Sequence, residues 1–108
     1  MRCDLTMTEP DDEDASHWLI IDGRRWRRTD PCLPSDVVGA LKSHLGRGRS
    51  GVRTAKRHGD EEGEAAARRR VNLAKHGLGE RGPRWWESDE ATRLRQAREA
   101  LRELDDLP

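Results

Sequence analysis

The spacing of apolar residues along the chain changes character several times, and each change predicts an element. Trp18-Leu19-Ile20-Ile21 is a short run of strand-forming residues, followed by Asp22-Gly23 and then Arg24-Arg25-Trp26-Arg27-Arg28-Thr29. Asp-Gly favours a type I′ turn, so these residues predict a hairpin over 18–28. Pairing around that turn sets Ile21 opposite Arg24, Ile20 opposite Arg25, Leu19 opposite Trp26 and Trp18 opposite Arg27. Side chains alternate across a strand, so Leu19, Ile21, Arg24 and Trp26 share one face. Leu19, Ile21 and Trp26 are therefore candidate core residues.

The period then lengthens. Val37, Leu41, His44/Leu45, Gly48, Val52 and Ala55 recur in steps of three and four, which predicts a helix over about 35–57. Pro34, Ser35 and Asp36 suit its first turn. Gly39, Gly46, Gly48 and Gly51 weaken it at roughly 1 kcal/mol each relative to alanine, so its firmest part ends near Leu45. His58-Gly59-Asp60-Glu61 is a break. Ala65, Ala66, Ala67, Val71, Ala74 and Leu78 mark a second helix over 61–77, whose small face should pack closely against the first as an antiparallel pair. Gly77-Leu78-Gly79 offers its C-terminal cap. Residues 79–86 hold too much glycine and proline for regular helix. Ser88 is the expected cap of a last helix within 88–108, striped by Ala91, Leu94, Ala97, Leu101 and Leu104. Residues 1–16 have almost no apolar side chains and read as a disordered acidic tail.

The expected fold is α+β and mostly helical: an N-terminal β-hairpin, an antiparallel helix pair, a tryptophan-bearing loop and a C-terminal helix. Residues 17–87 form the expected small domain. Val37, Leu41, Leu45, Val71, Leu78 and Trp85 complete the candidate core.

Composition narrows the function. Of 108 residues, 32% are hydrophobic and 39% charged, with no Phe and no Tyr. So few apolar residues exclude a large, deep core and the buried-pocket enzymes that need one. Four tryptophans must supply much of the core, and Trp26 is expected to pack with Trp85 or Trp86. The longest apolar run is four residues, far short of a membrane span, and the N-terminus does not read as a secretory signal. These features predict a cytoplasmic protein with no membrane association, in which Cys3 and Cys32 are free thiols.

The net charge of zero divides sharply along the chain. Residues 1–15 carry −5, residues 16–86 carry +8 and residues 87–108 carry −3. Such asymmetry points to a partner, or to acidic ends that screen a basic centre or aid solubility. An acidic tail that folds back would compete with a polyanion.

The residues offer little catalytic chemistry. His17, His44, His58 and His76 have no helical spacing with one another or with a cysteine, and no nucleophile or zinc motif is present. Cys32 and His44 have no second ligand pair, and His44 belongs to the packed helix face. No catalytic residue, metal or cofactor is expected, and the chain does not read as an enzyme. Gly46-Arg47-Gly48-Arg49-Ser50-Gly51 lacks both the preceding strand and the Gly-Lys-Ser/Thr ending of a phosphate loop.

What remains is basicity. Arg47, Arg49, Arg53 and Arg57 recur along the first helix, and Arg68 and Arg69 follow on the second. Such a helical hairpin can contact nucleic-acid phosphates without sequence readout, or simply present a solvated face. The alternative function is a protein–protein adaptor or small homo-oligomer that buries the Leu94–Leu104 stripe.

Two segments also carry a resemblance. Ile20-Ile21-Asp22-Gly23-Arg24-Arg25-Trp26-Arg27 with Thr29-Asp30-Pro31, and Leu78-Gly79-Glu80-Arg81-Gly82 with Trp85-Trp86-Glu87, are similar to a group of short bacterial proteins, some automatically named "biopolymer transporter Tol". The resemblance spans roughly residues 18–87. It implies kinship and brings no assigned catalytic or binding residues with it.

Overall fold

Strands β1 (Trp18–Ile21) and β2 (Arg24–Arg27) pair antiparallel in the register expected from the turn, with Leu19 opposite Trp26 and Trp18 opposite Arg27. Asp22 and Gly23 both adopt positive φ, 54° and 79°, as a type I′ turn requires. This computed structural model describes residues 17–107, so the expected tail over 1–16 lies outside the described residues. Three helices follow the hairpin: α1 (Ser35–His58), α2 (Glu61–Gly77) and α3 (Glu90–Asp105), with a 3₁₀ turn at Trp85–Glu87 between the last two. The fold is α+β and mostly helical.

α1 continues unbroken to His58 despite its four glycines. Packing compensates for propensity at the crossing with α2. A Cβ on Gly48 would sit 2.7 Å from Val71 Cγ2 and 3.1 Å from the Ala67 carbonyl oxygen. The bare backbone there lets the two helices approach more closely than any side chain would allow. Gly39 and Gly46 face open space and gain nothing comparable.

The helix ends set the turns that carry the site. Asp60 caps α2 by accepting from the Gly63 N–H at 2.9 Å. At its other end the Glu80 N–H donates to Lys75 O and the Gly79 N–H to His76 O, a reversal that turns the chain back beside the helix. Asp89, rather than Ser88, caps α3 by accepting from the Thr92 N–H at 2.8 Å. The helix starts one residue later than expected, since the Asp89 carbonyl is the one that accepts the Arg93 N–H, at 3.1 Å.

The core is aliphatic. Leu33, Val37, Leu41, Leu45, Ala74, Leu78, Ala97 and Leu104 are buried together, with Val71, Leu94 and Leu101 packed against them. Trp85 is buried at the edge, its indole N–H donating to the Arg28 carbonyl at 3.0 Å. α3 thus belongs to the same core as the helix pair. Ala97 and Leu104 are fully buried within the chain, so the Leu94–Leu104 stripe is not a free surface for a partner.

Three expected core residues need correction. Leu19, Ile21 and Trp26 are 38%, 52% and 38% exposed. The hairpin docks instead by its other face and its C-terminal end. Arg27 Nη1 donates to the carbonyls of Gly79, Gly82 and Pro83 at 3.3, 2.9 and 3.1 Å. Trp18 meets Trp86 edge-on at 5.8 Å, and Trp86 stacks flat on His17 at 3.9 Å. Trp26 therefore packs with neither Trp85 nor Trp86. Charge-dense strands can dock through guanidinium–carbonyl bonds, which a pattern of apolar residues does not register.

Directly after the hairpin lies a buried ion pair. Asp30 and Arg93 are 2% and 8% exposed, and Arg93 Nε and Nη2 donate to the two carboxylate oxygens at 2.9 and 2.6 Å. The Asp30 N–H donates to Leu78 O, and Thr29 Oγ1 donates to Glu80 Oε2 at 2.5 Å. The two motif segments, about fifty residues apart in sequence, are thus one structural junction. Cys32, beside it, is disulfide-bonded, which corrects its reading as a free thiol. Compartment and cysteine spacing, on which that reading rested, do not say whether two thiols meet. Cys3 lies outside the described residues.

Two stability predictions follow from the crossing and the ion pair. Gly46→Ala should raise stability by about 0.5–1 kcal/mol, whereas Gly48→Ala should lower it by about 1–3 kcal/mol, both read from urea midpoints. Asp30→Asn should cost about 3–5 kcal/mol by leaving Arg93 buried and unpaired. The double variant Asp30→Asn/Arg93→Met should cost clearly less than the two single variants summed.

Candidate functional site

The six arginines expected to act together divide between faces. Residues two apart on a helix point about 200° apart, so Arg47 and Arg49 cannot serve one surface. Arg49 and Arg53 of α1 and Arg68 of α2 line one groove of about 530 Å³, joined by Arg81 from the loop after α2. Val52 and Val71 contribute its apolar walls. Arg68 is braced by Glu64 one turn back, with Nε donating at 2.8 Å, and Arg81 Nη1 donates to Asn72 Oδ1 at 2.9 Å. Arg47 and Arg69 line a different groove, beside Gly48 and Leu107. Arg57 lies in the last turn of α1, where its charge complements the helix dipole, and it lines neither groove.

A second cleft of about 350 Å³ adjoins the first and shares Arg49 with it. Its roof is the hairpin face that failed to enter the core: Leu19, Ile21 and Trp26. Lys75 of α2, Arg27, Thr29 and Glu80 complete the lining. Arg24 and Lys75 rest against the Trp26 ring, 4.9 and 5.1 Å from its centroid.

The two spaces together are strongly positive. Arg27, Arg49, Arg53, Arg68, Lys75 and Arg81 line them, and Glu80 is the single acid among the described residues that do. The titrations of neighbouring groups register that field. Burial, and then Arg81 and Arg49, push the Lys75 ammonium below its usual range, with Glu80 opposing. Burial, and then Arg81 and Arg27, push His76 down. Burial and Arg84 likewise lower Arg27. Burial is the largest cause in all three, and the neighbouring arginines add to it.

Elsewhere the titratable residues are structural. His44 is buried on the packed face of α1, accepting at Nδ1 from Arg70 at 2.8 Å and facing Asp105 Oδ1 with Nε2 at 2.9 Å. Because arginine only donates, the ring proton belongs on Nε2. Among the described residues no three His, Cys, Asp or Glu side chains come together as a metal site. No described helix is long and apolar enough to cross a membrane.

The sequence reading leaves Lys75 and Arg81 out of the site and assigns Trp26, an arginine-flanked tryptophan able to stack on a base, to the core. Arg68, Asn72 and Lys75 recur at spacings of four and three, which marks one polar stripe of α2 and was available as a signal. Arg81 was not, because its place depends on the chain reversal after Gly77.

His76 offers a direct check on the field. Its folded-state pKa lies below the ordinary value of 6.5, so folding favours the neutral ring. Its contribution to stability is whole above that pH and fades as pH falls through the folded value. NMR titration should find His76 below 6.5, and Arg81→Ala should move it upward.

Comparison with family models, curated proteins and solved structures finds no match to this chain.

Proposed function

We propose that the chain is a small non-enzymatic module that holds nucleic acid through its phosphates without reading sequence. One observation carries the proposal: Arg49, Arg53, Arg68 and Arg81 converge on a single groove from three separate segments. Arginine forks suit phosphate oxygens, and with Glu64 engaging only Arg68 the four guanidinium groups keep a net positive potential that attracts a polyanion. Asn72, whose oxygen already accepts from Arg81, is the one amide among the described residues that line the groove, and the arginines around it serve phosphate contact, which fixes position without reading sequence.

The reading predicts steep salt dependence. Binding of labelled oligonucleotides at several salt concentrations should give a log–log slope of roughly −3 to −4, corresponding to three or four neutralised phosphates. Replacing Arg49, Arg53 and Arg68 together by alanine should remove about three from that slope. Replacing Arg47 and Arg69, on the other groove, should leave it nearly intact. No binding by the wild-type chain at low salt would refute the proposal.

A further inference from the structure

We propose that the cleft beneath the hairpin seats an unpaired base of single-stranded nucleic acid against Trp26, its flanking phosphates passing by Arg49 into the arginine groove. The proposal rests on the phosphate-binding reading above and adds the kind of strand that binds.

The cleft has two unmet needs. In a chain with few apolar residues, Leu19, Ile21 and Trp26 are left partly exposed side by side, a cost in unburied apolar surface that an occupant would remove. Around them stand Arg49, Lys75 and Arg24, with Glu80 as the single acid among the described residues that line the cleft. The depressed Lys75 ammonium is in keeping with that imbalance.

Those needs select the occupant. An apolar peptide or a second copy of the hairpin would cover Trp26 but bury Lys75 and Arg49 without counter-charge, which is costly. Inorganic phosphate would satisfy the cations and leave the apolar roof bare. A nucleotide supplies both a flat π-face for an indole and an anionic group within reach of the rim. Arg24 and Lys75 already rest against the Trp26 ring, so a stacking base takes the place of one of them and that cation moves to a phosphate.

The same geometry selects an unpaired base. Within a duplex both faces of each base are covered by neighbours, and an indole fixed at a hairpin edge cannot reach them without opening the stack. A single strand presents its bases at no such cost. Arg49 belongs to both spaces, so the strand leaving the cleft runs directly into the groove of Arg53, Arg68 and Arg81.

The experiment uses the full chain and fluorescence anisotropy with three probes: oligo-dT, oligo-U and a duplex of equal length. Wild type should bind both single strands more tightly than the duplex. Trp26→Ala should weaken single-strand binding about 5- to 150-fold, the range for losing one stacking aromatic. Duplex binding should change less than about twofold, and Trp26→Phe should restore most of the loss. Because Trp26 lies outside the core, an unchanged thermal midpoint will show that the variant is folded. The dT and U arms distinguish DNA from RNA as the source of the strand. If Trp26→Ala leaves both probe classes unaffected, or weakens duplex and single strand equally, this inference fails while phosphate binding stands. If wild type binds none of the probes at low salt, both readings fall.

Discussion

The Asp30–Arg93 pair fixes the relation between the hairpin and the helices, and the rest of the surface depends on it. Its two charges are almost wholly withdrawn from water, so each is tolerable only in the presence of the other. The Asp30 hydrogen bonds hold the guanidinium in its charged state still more firmly than usual. Asp30 closes the hairpin segment, while Arg93 belongs to the first turns of α3. Their bond therefore ties the hairpin to the last described helix, across Leu78 and Trp85. With that link in place, Arg27 reaches the carbonyls of Gly79, Gly82 and Pro83. The hairpin then overhangs the helix pair without being absorbed into the core.

The overhang gives the surface its character. A hairpin buried on its Leu19–Ile21–Trp26 face would have filled the space beside Arg49 and Lys75. Docked through its arginine and Trp18, it leaves a cleft open there, apolar above and cationic along its rim. The close crossing of α1 and α2 at Gly48 sets Val71 directly against bare backbone. The arginines on either side of that crossing border separate grooves. Stability and charge display thus come from different residues, which is why substitutions at Arg49 or Trp26 can be separated from folding.

Much of the fold was legible because local chemistry and global packing agree. The Asp22-Gly23 turn fixed the strand register before any tertiary contact was considered, and Leu41, Leu45 and Leu78 lay on stripes of the correct period. The misreadings came where long-range polar bonds decide. Nothing in the spacing of Asp30 and Arg93 announces a buried pair sixty-three residues apart. Without that pair the hairpin's apolar face was the natural choice for the core. The candidate site was legible only as a basic segment. Arginines adjacent in sequence scatter around a helix, so Arg47, Arg57 and Arg69 part from Arg49, Arg53 and Arg68. Arg81 joins the latter through a loop whose path local sequence does not determine.

In the proposed function, a cleft roofed by Trp26 and a groove walled by Arg49, Arg53, Arg68 and Arg81 act as one binding surface. The chain's four tryptophans give four indole N–H signals in a ¹H–¹⁵N spectrum, and arginine Nε–H signals report the groove. On titration with a short single-stranded oligonucleotide, the Trp26 indole and Arg49, Arg53, Arg68 and Arg81 should shift. The Trp85 indole, bonded to Arg28 O within the core, should stay in place. Shifts confined to Arg47 and Arg69, or a Trp26 signal unmoved at saturation, would contradict that reading.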